Sequence, residues 1–174
     1  MYNNSIKETI IKSYRFNLKY ASILVEDIDN EIMTASPSKG LENHASFTLG
    51  HLVSASALIS KYLKGPYDIY PEWEDLFRRK GPGDPKLPET DASLYPHKNE
   101  LLEKLSEQHK IVENLINNLE DDQFNEISKW RFDNYLPTLG DLLFFMCVSH
   151  ESMHLGQLAA WRRAMGFDSA LGKL

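Results

Sequence analysis

An all-α four-helix bundle is the fold this sequence predicts, and three observations predict it. Four long stretches repeat apolar residues at spacings of three and four, the period of one helical face. No stretch carries a strong strand signal. The one long connection, residues 64–95, holds five of the eight prolines, Pro66, Pro71, Pro82, Pro85 and Pro88, together with Gly65, Gly81 and Gly83. A further long helix is therefore excluded there.

The first helix is expected from about Ser5 to Asp29, on a stripe of Ile6, Ile10, Tyr14, Leu18, Ala21, Val25 and Ile28. The second starts near Ser46 and runs to about Leu63. Within the connection, Glu72 to Arg79 can form a short helical piece. The third helix covers about Pro96 to Leu119, with Leu101, Leu105, Val112, Leu115 and Leu119 as its stripe. Pro96 in its first turn would lose no needed hydrogen bond. Residues 127–136 suit a short extended piece. The fourth helix starts at Thr138, where Asp141 three residues on completes a capping box, and runs to about Met165, with Gly166 as C-cap glycine. The long connection can cross the whole bundle, so helices two and three can run parallel. The shorter loops make one and two, and three and four, antiparallel. Thr48-Leu-Gly-His-Leu52 echoes Thr138-Leu-Gly-Asp-Leu142 because both open helices.

The chain has 174 residues, 42% apolar and 25% charged, which fits a single domain over 1–174 and argues against disorder. No apolar run approaches the roughly 20 residues of a membrane span, and the first residues lack the pattern of a secretory signal. The single cysteine, Cys147, cannot form an internal disulfide, which suits a reducing cytoplasm. It lies in an apolar stretch and reads as core, not as a nucleophile. A net charge of −6 disfavours a nucleic-acid partner. The short basic clusters Arg78-Arg79-Lys80 and Arg162-Arg163 read as solvated faces.

Six histidines are present, at 44, 51, 97, 109, 150 and 154. His150 and His154 are four apart on helix four, on one face and about 6 Å apart along the axis. An uninterrupted helix puts Leu139, Leu143, Met146, Gln157 and Trp161 on that same face. Two imidazoles on an inward stripe need partners for their nitrogens, and either hydrogen bonds or one metal ion can supply them. A metal site open to substrate usually takes three protein ligands. His51, about a turn into helix two, is the best third. His44 falls in a loop, His97 at the exposed start of helix three, and His109 at the edge of a stripe in a structural or solvated role.

His150-Glu-Ser-Met-His154 matches the H-E-x-x-H of zinc proteases. The extended forms fail: Gln157 and Ala160 stand where a glycine and a third histidine belong, and no glutamate follows His154. Glu151 points about 80° from the histidines. It reads either as a group reaching a metal-bound water or an outer histidine, or as a surface glutamate paired with Arg162 or a lysine.

The run from Pro137 to Gly166, with His150-Glu-Ser-Met-His154-Leu-Gly-Gln157 followed by Arg162-Arg163 and Gly166, resembles the last helix of the DinB-like superfamily. Gly50-His51-Leu52 resembles that family's second-helix motif. The resemblance implies an up-down-down-up four-helix bundle with a long crossover, often a homodimer. It implies a metal triad at His51, His150 and His154 holding zinc or nickel. It also implies, for some members, transfer chemistry on a low-molecular-weight thiol. On this basis a metal-dependent transferase acting on a small-molecule substrate is expected, with Glu151 or Gln157 assisting. Metal-assisted hydrolysis and non-catalytic metal binding are the alternatives. Phe47, Trp73 and Trp161 are the aromatic candidates for pocket walls or core.

Overall fold

The computed structural model describes residues 5–81 and 83–174. Pro82, one of the five prolines of the connection, and the first four residues lie outside them. The fold is all-helical. Helix α1 spans Ile6–Val25, α2 Ala45–Tyr62, the short α3 Pro71–Phe77 and α4 Lys98–Asn117. The last long helix has three parts: α5 (Leu139–Phe144), a π turn (Phe145–His150) and α6 (Glu151–Ala164). Among the described residues the extended piece near 127–136 reduces to one isolated bridge, Ile127 to Thr138. None of the helices is long and apolar enough to cross a membrane.

Local chemistry explains where the helices stop. Ser5 caps α1 by accepting from the Glu8 backbone N–H. The helix ends at Val25, before the expected Asp29, and Asp29 instead opens a 3-10 turn. At α2 the capping residue is His44, whose Nδ1 accepts from the Phe47 N–H at 3.2 Å. The α4 helix begins after Pro96, because the N–H of Lys98 is met from outside the helix, by Asn30 Oδ1 at 2.8 Å. Thr138 and Asp141 form both bonds of the expected capping box. Gly166 adopts φ 88°, a left-handed conformation that glycine supplies without a Cβ clash.

The long helices meet in two apolar clusters. One joins Leu24 of α1, Phe47 and Leu49 of α2, Leu101 of α4 and Leu158 and Trp161 of α6. The other joins Ile10 and Tyr14 with Ile59, Ile116 and Leu142. Thus α1 and α6 end where α2 and α4 begin. Helix α4 lies against both α1 and α2, and the last helix packs on the same two helices. Burying one such side chain contributes ~2 kcal/mol, against about 1 for a cap. Packing therefore fixes the arrangement, and caps fix the ends.

Two residues from the sequence reading find their place here. Trp161 is fully buried and donates from Nε1 to the Ala35 carbonyl at 2.7 Å. Trp73 is buried and packs edge-on against Phe77. Both are core. The reading of Arg162-Arg163 as a solvated pair is corrected at Arg162, which is only 1% exposed. Its guanidinium is held by Asp27 and by the carbonyls of Leu24 (3.1 Å) and Asp168 (2.6 Å).

The π turn corrects the picture of one straight helix. The buried stripe steps from Leu143 to Cys147, Glu151 and Leu155, every fourth residue. A regular helix of 3.6 residues per turn would drift off such a stripe. One wide turn absorbs the drift, and leaves Leu139 only half-buried. The Asn17 amide donates to the carbonyls of Cys147 (3.1 Å) and Val148 (3.4 Å) in that turn.

Candidate metal centre

His51 lies nearly two turns inside α2, and α3 returns to meet it. Gly50 allows this, since a Cβ at that position would overlap the Phe77 ring. The Phe77 carbonyl is then 3.0 Å from His51 Nδ1. Such a bond fixes the Nδ1–H tautomer and leaves Nε2 with a free lone pair, the state a metal ligand needs. Gly50→Ala is expected to push the ring away and loosen this bond, at a cost of about 1–3 kcal/mol for overpacking. A thermal melt checks this; an unchanged midpoint would show that α3 gives way freely.

His150 ends the π turn and His154 lies on α6. Their Nε2 atoms are 3.2 Å apart. Two nitrogens bound tetrahedrally at 2.0–2.1 Å from one zinc would be separated by about 3.3 Å. One nitrogen from each of His51, His150 and His154 lies within 4.8 Å of the other two. The ring centroids of His51 are 5.5 Å from His150 and 4.6 Å from His154. His150 Nδ1 is buried and makes no hydrogen bond; the ring lies beside Phe145, with centroids 6.3 Å apart. His154 Nε2 has the His150 ring as its hydrogen-bonding neighbour, and Gln157 is exposed one turn further along α6. Three neutral nitrogens aimed at one point suit a divalent cation.

Burial holds all three rings neutral. It lowers the pKa of His150 to about 4 and of His154 to about 3, and the neighbouring rings add to the effect. His51 is lowered by burial too, partly offset by the Phe77 carbonyl. In the unfolded chain each ring titrates near 6.5. Below that pH the unfolded state binds protons that the folded state refuses. The metal-free protein is thus expected to hold its full stability above pH 6.5 and to lose it progressively towards pH 4. Urea midpoints in chelator at pH 7.5 and 5.0 check this, and equal midpoints would contradict it.

Glu151 is the main surprise. It is 2% exposed, so its reading as a surface glutamate is overturned. It points not at the three rings but across the bundle, where Oε1 lies 2.9 Å from His109 Nε2. Its Oε2 is buried without a hydrogen bond, and burial raises its pKa despite the opposing pull of His109. His109 in turn stacks on Tyr14 at 3.6 Å, and Tyr14 donates to Ser56 Oγ at 2.8 Å. His109 therefore takes the structural of its two readings. His44 lies just before α2, as expected, and there it is buried as that helix's cap. Cys147 is fully buried and desolvation raises its pKa well above the ordinary value, which makes it a poor nucleophile. Of the aromatic candidates only Phe47 reaches the centre, stacking on His51 at 5.8 Å.

The sequence reading missed the placement of Arg79, whose guanidinium carbon lies 4.0 Å from the centre of the Phe47 ring. It also missed Asn17. A polar residue on the inward stripe of α1 was the available signal for the latter.

The fold and this centre define a class: a helical bundle with three imidazoles from its second and last long helices around one cation-sized point. Residues 14–158 match the DinB superfamily, and the chain belongs to that superfamily. No curated protein matches it.

Proposed function

We propose that the protein is a divalent-metal-dependent transferase that activates a small thiol at His51, His150 and His154, with zinc or nickel as the metal. The observation that carries this reading is the convergence of the three rings, with two Nε2 atoms 3.2 Å apart and, among the described residues, no fourth protein ligand in the set. Three ligands leave a coordination position for substrate. A bound divalent cation would supply the Lewis acidity that lowers the pKa of a thiol or a water beside it.

The chain's own residues do the rest. The Phe77 carbonyl orients His51, and Gln157, exposed on the turn after His154, would assist from the solvent side. Glu151 and His109 act from behind: their pair fixes the rotation of α6 and so the direction of His150 and His154. Water in place of the thiol would make the same centre a hydrolase.

The test is conjugation of several small thiols to monochlorobimane. The sulfur forms the new C–S bond, chloride leaves and the thiol proton passes to solvent. A rate above background that disappears with chelator and returns with added zinc or nickel is expected. Metal uptake without any such rate would favour a storage or sensing role.

A further inference from the structure

The centre is built from neutral donors, and a guanidinium stands beside it. The three imidazoles bring no negative charge, and Glu151, the carboxylate next to His150 in sequence, is turned to His109. Arg79 lies over the Phe47 ring, which itself stacks on His51. Arg79 follows Phe77 by two residues, and the Phe77 carbonyl is the partner of His51. The guanidinium and the ligand thus share one frame.

Arg79 has no counter-ion of its own. Among the described residues no carboxylate forms an ion pair with it. The acids whose charges reach it are Asp84 and Glu89. Asp84 is engaged by the backbone N–H groups of Lys80 (2.8 Å) and Lys86 (3.0 Å), and Glu89 pairs with the Lys86 ammonium at 3.6 Å. Arg79 Nη2 is buried without a hydrogen bond. Its Nη1 reaches only the Arg78 carbonyl, at 3.5 Å. An unmet buried donor is costly, and a fixed positive charge beside a cation site adds repulsion. An anion arriving from solution relieves both. The residue as a whole is only half-buried.

We propose that Arg79 is the anion anchor of this centre, pairing with a carboxylate on a small thiol whose sulfur faces His51, His150 and His154. A guanidinium matches a carboxylate with two parallel N–H···O bonds, and the Phe47 face keeps it planar and oriented. The inference rests on the thiol reading above and adds the charge of the substrate to it.

The experiment uses the cobalt(II)-loaded protein and follows the thiolate-to-cobalt absorption band on titration. The probes are mercaptoacetate, 3-mercaptopropionate, the neutral methyl ester of mercaptoacetate, and 2-mercaptoethanol. At least one of the two acids is expected to bind ~10-fold or more tightly than both neutral thiols, the size of one charge-assisted contact. Arg79→Gln should abolish that preference while keeping cobalt stoichiometry and mercaptoethanol affinity, and Arg79→Lys should restore part of it. Equal binding of acids and neutral thiols by the wild type, or a preference that survives Arg79→Gln, overturns the anchor alone. Cobalt uptake with no thiolate band overturns the thiol reading and the anchor with it. Failure to take up cobalt overturns the metal reading itself. The ester comparison needs no variant, so it stands even if Arg79→Gln does not fold.

Discussion

Replacing His51 by alanine is expected to weaken zinc binding by about 100-fold or more while leaving the bundle folded. Loss of a group that merely orients a metal ligand costs 10–100-fold, and loss of the ligand itself should reach at least the upper end. The two remaining rings sit four residues apart on one helix and offer only two nitrogens. As a ligand, His51 would tie α2 to the last helix through the metal, so its removal would uncouple two elements that a cation would join. The fold should survive, because Leu49, Leu52 and Val53 around it are buried in apolar contacts of their own. Competition against a chromophoric chelator measures the affinity, and elemental analysis of untagged protein measures occupancy. Equal zinc content in wild type and His51→Ala would remove this residue from the site and, with it, the three-ligand geometry.

Arg162→Met is expected to destabilise the protein by about 3 kcal/mol or more, a fall in melting temperature of roughly 6–12 °C for a chain this size. The Arg162 side chain is 1% exposed, whereas its partner Asp27 keeps 42% exposure. Methionine fills much of the volume, so the loss is polar. The carbonyls of Leu24 and Asp168 lose their donor, and each unmet buried acceptor costs about 1–3 kcal/mol. Asp27→Asn should cost less, because that carboxylate is partly solvated and Lys173 also reaches it at 3.1 Å. Arg163→Met, at the neighbouring exposed position, should change little. The Arg162 guanidinium holds the Asp27 pKa well below its usual range. That contribution is complete above the unfolded carboxylate pKa, about 3.9, and is lost as pH falls through the lowered value. Similar melting temperatures for Arg162→Met and Arg163→Met would show that the buried bonds add nothing.

The cluster of three histidines was largely legible because its signal is local. His150 and His154 sit one turn apart on a strongly patterned helix, and helical geometry alone makes their rings neighbours. His51 was legible as the histidine about a turn into the expected second helix, beside Leu52 and near Phe47, and by resemblance to a known second-helix segment. The capping box at Thr138 and the glycine at 166 were likewise readable, since both depend on residues within one turn. Glu151 was not. Its direction follows from the π turn, and that turn depends on the spacing of Leu143, Cys147 and Leu155 against α1 and α2. Its partner His109 is 42 residues away, and no pattern in either helix announces the pair. Arg79 was read as part of a solvated cluster, because nothing beside it in sequence shows that Phe47 will lie beneath it.

By itself the sequence determined the helical class, the long proline-broken crossover and which imidazoles share a helix face. Those are properties of backbone propensity and short-range spacing, which act within a few residues. Only the tertiary structure decided which way Glu151 points, that Arg162 is buried and that Arg79 lies over Phe47. Each depends on a contact between chain segments far apart in sequence, and packing energy, not local preference, selects it.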